Sequence, residues 1–84
     1  MTTPDQRIIE LIAYLKYMKK VKSAVEFCQN IGFYRQNLRN VRLGTQSFTI
    51  DHIEKICKIY DVNANWILGL SDKLYNNSDE TLPI

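Results

Sequence analysis

The 84-residue chain suffices for one domain and lies near the lower size limit for an independent core. With 45% hydrophobic and 24% charged residues, its composition is that of a folded globular domain and excludes a disordered or low-complexity chain. The formal net charge is only +2, so any preference for a polyanion must come from where the charges lie.

No apolar run approaches the roughly 18 residues of a membrane span, and no secretory signal is visible, so a cytoplasmic location without membrane contact is expected. Cys28 and Cys57 lie among apolar residues at helical spacing. Neither has a cysteine or histidine partner at short spacing, so both are expected as reduced thiols, with no metal and no cofactor. The charge is unevenly distributed. Residues 16–44 carry Lys16, Lys19, Lys20, Lys22, Arg35, Arg39 and Arg42 against Glu26 alone, whereas residues 45–84 carry three lysines against six acids. A basic half beside an acidic half is the electrostatic footprint of a nucleic-acid binder, although a solvated basic face looks similar.

Taken in order, Thr3-Pro4-Asp5-Gln6 predicts a capped helix start, and Ile8, Ile12 and Leu15 form its apolar stripe to about Met18. Ser23 caps a second helix, with Ala24, Phe27, Cys28 and Ile31 on one face and Gly32 at its end. A third helix is expected over residues 34–43, closed by Gly44, with a polar loop over residues 45–48. Thr49 caps a fourth helix bearing Ile53, Ile56, Cys57 and Tyr60, and Asn63 caps a short fifth helix bearing Trp66, Ile67 and Leu70. Strand signals are absent, so the expected fold is all-α. Phe27, Cys28, Ile31, Leu38, Val41, Ile53, Ile56, Tyr60, Trp66 and Ile67 are expected to be largely buried. Residues 1–70 form the domain, and residues 71–84 are polar and aperiodic, a tail or linker.

Residues 23–43 meet the positional demands of two helices crossing near a right angle through a short turn. Cys28 is small where the second helix must approach, Gly32 accepts positive φ in the turn, and Phe27, Ile31, Phe33, Leu38 and Val41 supply the locking apolar contacts. An ordinary helical hairpin would have the same core positions. The outer face distinguishes the two. At roughly 100° per residue, Arg35, Gln36, Arg39 and Asn40 lie opposite Leu38 and Val41, with no acid among them. Arginine pairs bidentately with guanine, and glutamine or asparagine with adenine, in the major groove.

Three stretches resemble the lambda-repressor-like helix-turn-helix family, that is, Cro and CI-type phage repressors and related bacterial transcriptional regulators. They are residues 23–32 (SAVEFCQNIG), 37–44 (NLRNVRLG) and 53–68, where Val62, Trp66, Ile67 and Leu68 fit the family's Val-x-x-x-Trp-[Leu/Ile]-Leu fifth helix. The resemblance spans most of the chain. It implies a compact five-helix DNA-binding domain, a repressor in function class, that reads the major groove with residues 34–43. Carried over by position, Arg35, Gln36, Asn37 and Asn40 read bases, with Arg39 beside them. Ser23 and Ala24 begin the helix that meets backbone phosphate, and Thr45, Gln46 and Ser47 form the phosphate-contacting loop. Lys22, Tyr34 and Arg42 complete the expected phosphate set. Ala24 stands where the family often has glutamine, Tyr34 replaces the usual Ser or Thr cap, and Arg42-Leu43-Gly44 replaces a common Glu-Asn-Gly ending. The expected partners are a palindromic double-stranded operator and a second copy of the chain, paired through the fifth helix and the Leu74–Tyr75 region.

Catalysis has little support. His52, the sole histidine, adjoins Asp51 in a position suited to helix capping, and no nucleophile or phosphate loop accompanies it. The competing class is a protein-interaction module of the same fold, antitoxin-like or adaptor, with Trp66, Ile67, Leu70, Leu74 and Tyr75 as its apolar surface. RNA binding through exposed tyrosines is the weakest alternative, because the tyrosines form no stacking platform.

Overall fold

In the computed structural model, which describes residues 3–76, four of the five α-helices begin where a short oxygen-bearing side chain reaches the first free amides. α1 (Pro4–Tyr17) is capped by Thr3, whose Oγ1 accepts from the Gln6 amide at 3.1 Å while the Gln6 side chain accepts from the Thr3 amide at 2.9 Å. α2 (Ala24–Ile31) starts at Ser23, whose Oγ accepts from the Glu26 amide at 3.2 Å. α3 (Leu38–Leu43) ends at Gly44, which takes a left-handed φ of 82°. α4 (Ile50–Tyr60) opens with a capping box between Thr49 and His52, and α5 (Ala64–Ile67) is capped by Asn63 through the Asn65 amide at 3.1 Å. Among the described residues there are five α-helices and no strand, so the fold is all-α.

The third helix differs from its expected form. Instead of one helix over residues 34–43, Arg35–Asn37 form a 3₁₀ turn that leads into a six-residue α3. Neither Tyr34 nor Asn37 caps with its side chain. The turn therefore tightens, and the Asn37 amide donates to the Tyr34 carbonyl at 2.9 Å.

The core gathers Ile8, Leu11, Ile12 and Leu15 of α1 with Phe27, Cys28 and Ile31 of α2, and closes with Leu38, Val41, Ile56 and Ile67 from the later helices. Among the described residues, no polar or charged one is buried with them. Of the ten residues expected inside, Ile53, Tyr60 and Trp66 are only half-buried. Tyr60 stacks on Phe27 with ring centroids 5.4 Å apart but keeps its hydroxyl outside, where it accepts from Asn30 Nδ2 at 3.0 Å. Trp66 has the Arg7 guanidinium 4.8 Å above its ring. Conversely Phe48, read as part of a polar loop, is buried against Phe33 with centroids 4.6 Å apart, and its amide donates to Asp5 Oδ1 at 3.0 Å.

The polar stretch from Ser71 begins as a strap across α4 and α5. The Asn63 amide donates to the Leu74 carbonyl at 2.7 Å, and its Nδ2 donates to the Lys73 carbonyl at 2.9 Å. The Asn76 amide donates to the Asp61 carbonyl at 3.0 Å, and Val62 and Tyr75 form an isolated antiparallel bridge. Leu74 and Tyr75 pack against the core. The rest of the expected tail, residues 77–84, lies outside the described residues.

Candidate nucleic-acid interface

Between α2 and the 3₁₀ turn the chain reverses in three residues. Gly32 takes φ 75°, a conformation that costs glycine no Cβ clash. The following Phe33 is buried, and its amide donates to the Cys28 carbonyl at 2.9 Å. Buried Phe27, Cys28, Ile31, Phe33, Leu38 and Val41 lock α2 and α3 into one unit. Desolvation pushes the Cys28 thiol up from its ordinary pKa, and the nearby Arg35 charge offsets this only in part. Burial likewise pushes up the Cys57 thiol. Both cysteines are free and stay protonated near neutral pH, which makes them poor nucleophiles.

On the outer side, Arg35, Arg39 and Arg42 recur at i, i+4 and i+7 and are all exposed, with Gln36 beside them. They line a cleft closed by Lys16 from the last turn of α1, Ala24 from the first turn of α2, and Leu38. Four cations thus border one concavity, and no acid lines it. Among the described residues the one ion pair is Lys58–Glu54 at 3.2 Å, on α4, and none pairs a cleft cation with a carboxylate. A cluster of like positive charges around a concavity raises the local potential for an anion.

The other expected site residues fall into distinct surroundings. Asn37 and Asn40 are half-buried rather than fully outward. The Thr45 amide and Oγ1 both donate to the Asn40 carbonyl, at 2.9 and 3.2 Å, which ties the loop to the end of α3. Gln46 is half-buried, and its Oε1 accepts from Asn40 Nδ2 at 3.4 Å. Ser47 and Tyr34 are exposed. Ser23 spends its hydroxyl oxygen on the α2 cap, while Ala24 reaches the cleft wall. Lys22 is exposed and does not line the cleft, and its amide donates to Glu26 Oε1 at 2.6 Å.

Lys16 is the site residue that the motif reading missed. The only sequence signal for it was its membership of the basic segment, since no local pattern connects α1 to α3. Lys20, from the same segment, is turned elsewhere, with its Nζ 3.4 Å from the Tyr75 hydroxyl. His52 serves the α4 cap, and its ring meets Phe33 edge-on at 5.0 Å. Among the described residues no three His, Cys, Asp or Glu side chains gather into a metal-binding group. No described helix is long and apolar enough to cross a membrane. Comparison with protein-family models, with curated proteins and with solved structures returns no match.

Proposed function

We propose that this chain is a sequence-specific DNA-binding transcriptional regulator of the lambda-repressor-like helix-turn-helix type, acting as a repressor by occupying its operator. The observation that carries this reading is the acid-free cleft of Lys16, Arg35, Arg39 and Arg42 along the exposed side of α3. A phosphate backbone supplies the row of anions such a cleft attracts, and arginine side chains at its mouth can read guanine edges. A single copy offers few base contacts, so two copies on half-sites ~34 Å apart complete the proposal. Leu74 and Tyr75 are packed on their own domain, which leaves the exposed Leu68 and Leu70 beyond α5 as the surface for the second copy.

Equilibrium binding of the full chain to random-sequence duplex, measured against salt, tests the reading. Each neutralised phosphate contributes about −0.9 to the log–log slope, so full use of the cleft gives a slope of about −3 to −4 per copy. Absence of binding at ~50 mM salt would overturn it. That outcome favours the protein-interaction module, for which the exposed Ile59, Leu68 and Leu70 are the supporting observation.

A further inference from the structure

Asn40 is held from one side by a residue outside its own helix. The loop after α3 folds back so that Thr45 caps the Asn40 carbonyl, which brings Gln46 against the Asn40 side chain. Gln46 Oε1 then accepts one of the two N–H donors of Asn40 Nδ2, at 3.4 Å. Both residues are half-buried, so neither swings as freely as the arginines beside them. Oδ1 of Asn40 receives no hydrogen bond from a described residue, and among the described residues no fully buried side-chain oxygen lacks a partner, so this oxygen is not sealed from solvent. An asparagine amide can turn over by 180°, exchanging donor for acceptor. The Gln46 amide can turn with it, so in either arrangement of the pair one edge of the Asn40 amide stays tied to Gln46 and its plane is held. What remains for a ligand is one N–H donor and one carbonyl acceptor of a single amide. Adenine offers the complementary N7 acceptor and N6 amino donor in the major groove.

We infer that Gln46 is a positioning residue, holding Asn40 to read one adenine, and that it is not a phosphate contact. The inference rests on the DNA-binding reading and names a specificity determinant within the same site. A positioned amide discriminates by losing two hydrogen bonds at once on a wrong base, whereas a freely turning one finds alternatives.

The test is selection of duplexes from a random pool by the full chain and by Asn40→Ala, Gln46→Met and Gln46→Glu. Methionine keeps the side-chain length and removes the acceptor, while glutamate keeps the acceptor. The expected result is that Asn40→Ala and Gln46→Met lose roughly tenfold or more of the preference for adenine at the same single base pair. Gln46→Glu retains that preference, and the double variant Asn40→Ala/Gln46→Met loses no more than either single one. If Gln46→Met weakens every duplex alike and leaves all base preferences in place, Gln46 is a phosphate contact and the inference is overturned. Unchanged preferences in Asn40→Ala overturn it as well. If the parent chain retains no duplex at ~50 mM salt, the DNA-binding reading itself fails, an outcome distinct from both. Thermal unfolding of each variant shows that it is folded, and the Gln46→Glu comparison stands without Gln46→Met.

Discussion

The backbone amide of Thr49 donates to Nδ1 of His52 at 3.0 Å, while Thr49 Oγ1 accepts from the His52 amide at 3.3 Å. A histidine thereby takes the place that glutamate or glutamine holds in a capping box. It adds what those residues lack, a ring placed edge-on to Phe33 and Phe48 at 5.0 and 6.2 Å. Phe33 sits in the turn before α3 and Phe48 in the loop after it, so the cap of α4 buttresses both ends of the proposed reading helix.

Removing the cap should loosen that support. Thr49→Ala is expected to cost about 1 kcal/mol, a fall in Tm of roughly 4–8 °C for a domain of this size. His52→Gln keeps the capping acceptor but loses the aromatic edge contacts, and should cost less than His52→Ala. Thermal unfolding of the three variants checks the order.

Gly32 is constrained by its backbone: a φ of 75° strains any residue with a Cβ, whereas the nearest atom to an added Cβ, Lys55 Nζ at 3.3 Å, is the end of a flexible side chain that can shift. That ammonium stands by the C-terminus of α2, whose last turn has no basic residue of its own. Gly44 has φ 82° with open space around its Cβ position. Gly32→Ala is expected to lose about 1–2 kcal/mol, and Gly44→Asn less, since asparagine tolerates the left-handed region. Denaturant unfolding distinguishes the two.

The strap makes residues 71–76 part of the folded unit. Asn63→Ala removes the α5 cap and the bond to the Lys73 carbonyl together, for an expected loss of about 1–2 kcal/mol. Ending the chain after Leu70 should lower Tm as well, by removing Leu74 from its packing against the core and Tyr75 from its bridge. A tail free of the domain would leave Tm unchanged.

Lys16 and Lys22 separate the cleft from general basicity. Lys16 lines the cleft and Lys22 does not. Lys16→Ala should reduce the magnitude of the log–log salt slope by about one and weaken all duplexes alike, with a smaller change for Lys22→Ala. Equal slopes in both variants would place the phosphate contacts outside the cleft.

What could be read from the sequence was local. Thr3, Ser23, Thr49 and Asn63 cap helices because a short side chain meets amides two or three residues away, and Gly32 and Gly44 end helices through their own backbone freedom. The apolar stripes follow from helical geometry alone, so the all-α fold and most of the core were legible. The exceptions arose where distant residues meet. Phe48 is buried because Phe33 and Asp5 receive it, and Leu74 and Tyr75 are bound because Asn63 and Val62 offer unpaired groups to the returning chain. The cleft, too, is a product of packing. Arg35, Arg39 and Arg42 share a face by helical repeat, but Lys16 joins them only because burying Leu15, Leu38 and Val41 together brings α1 onto α3. Gln46 reaches Asn40 because the loop turns back to satisfy the last carbonyls of α3. Short-range dihedral and capping preferences act within one helical turn, whereas side-chain partners across the fold are set by which apolar faces must be hidden from water.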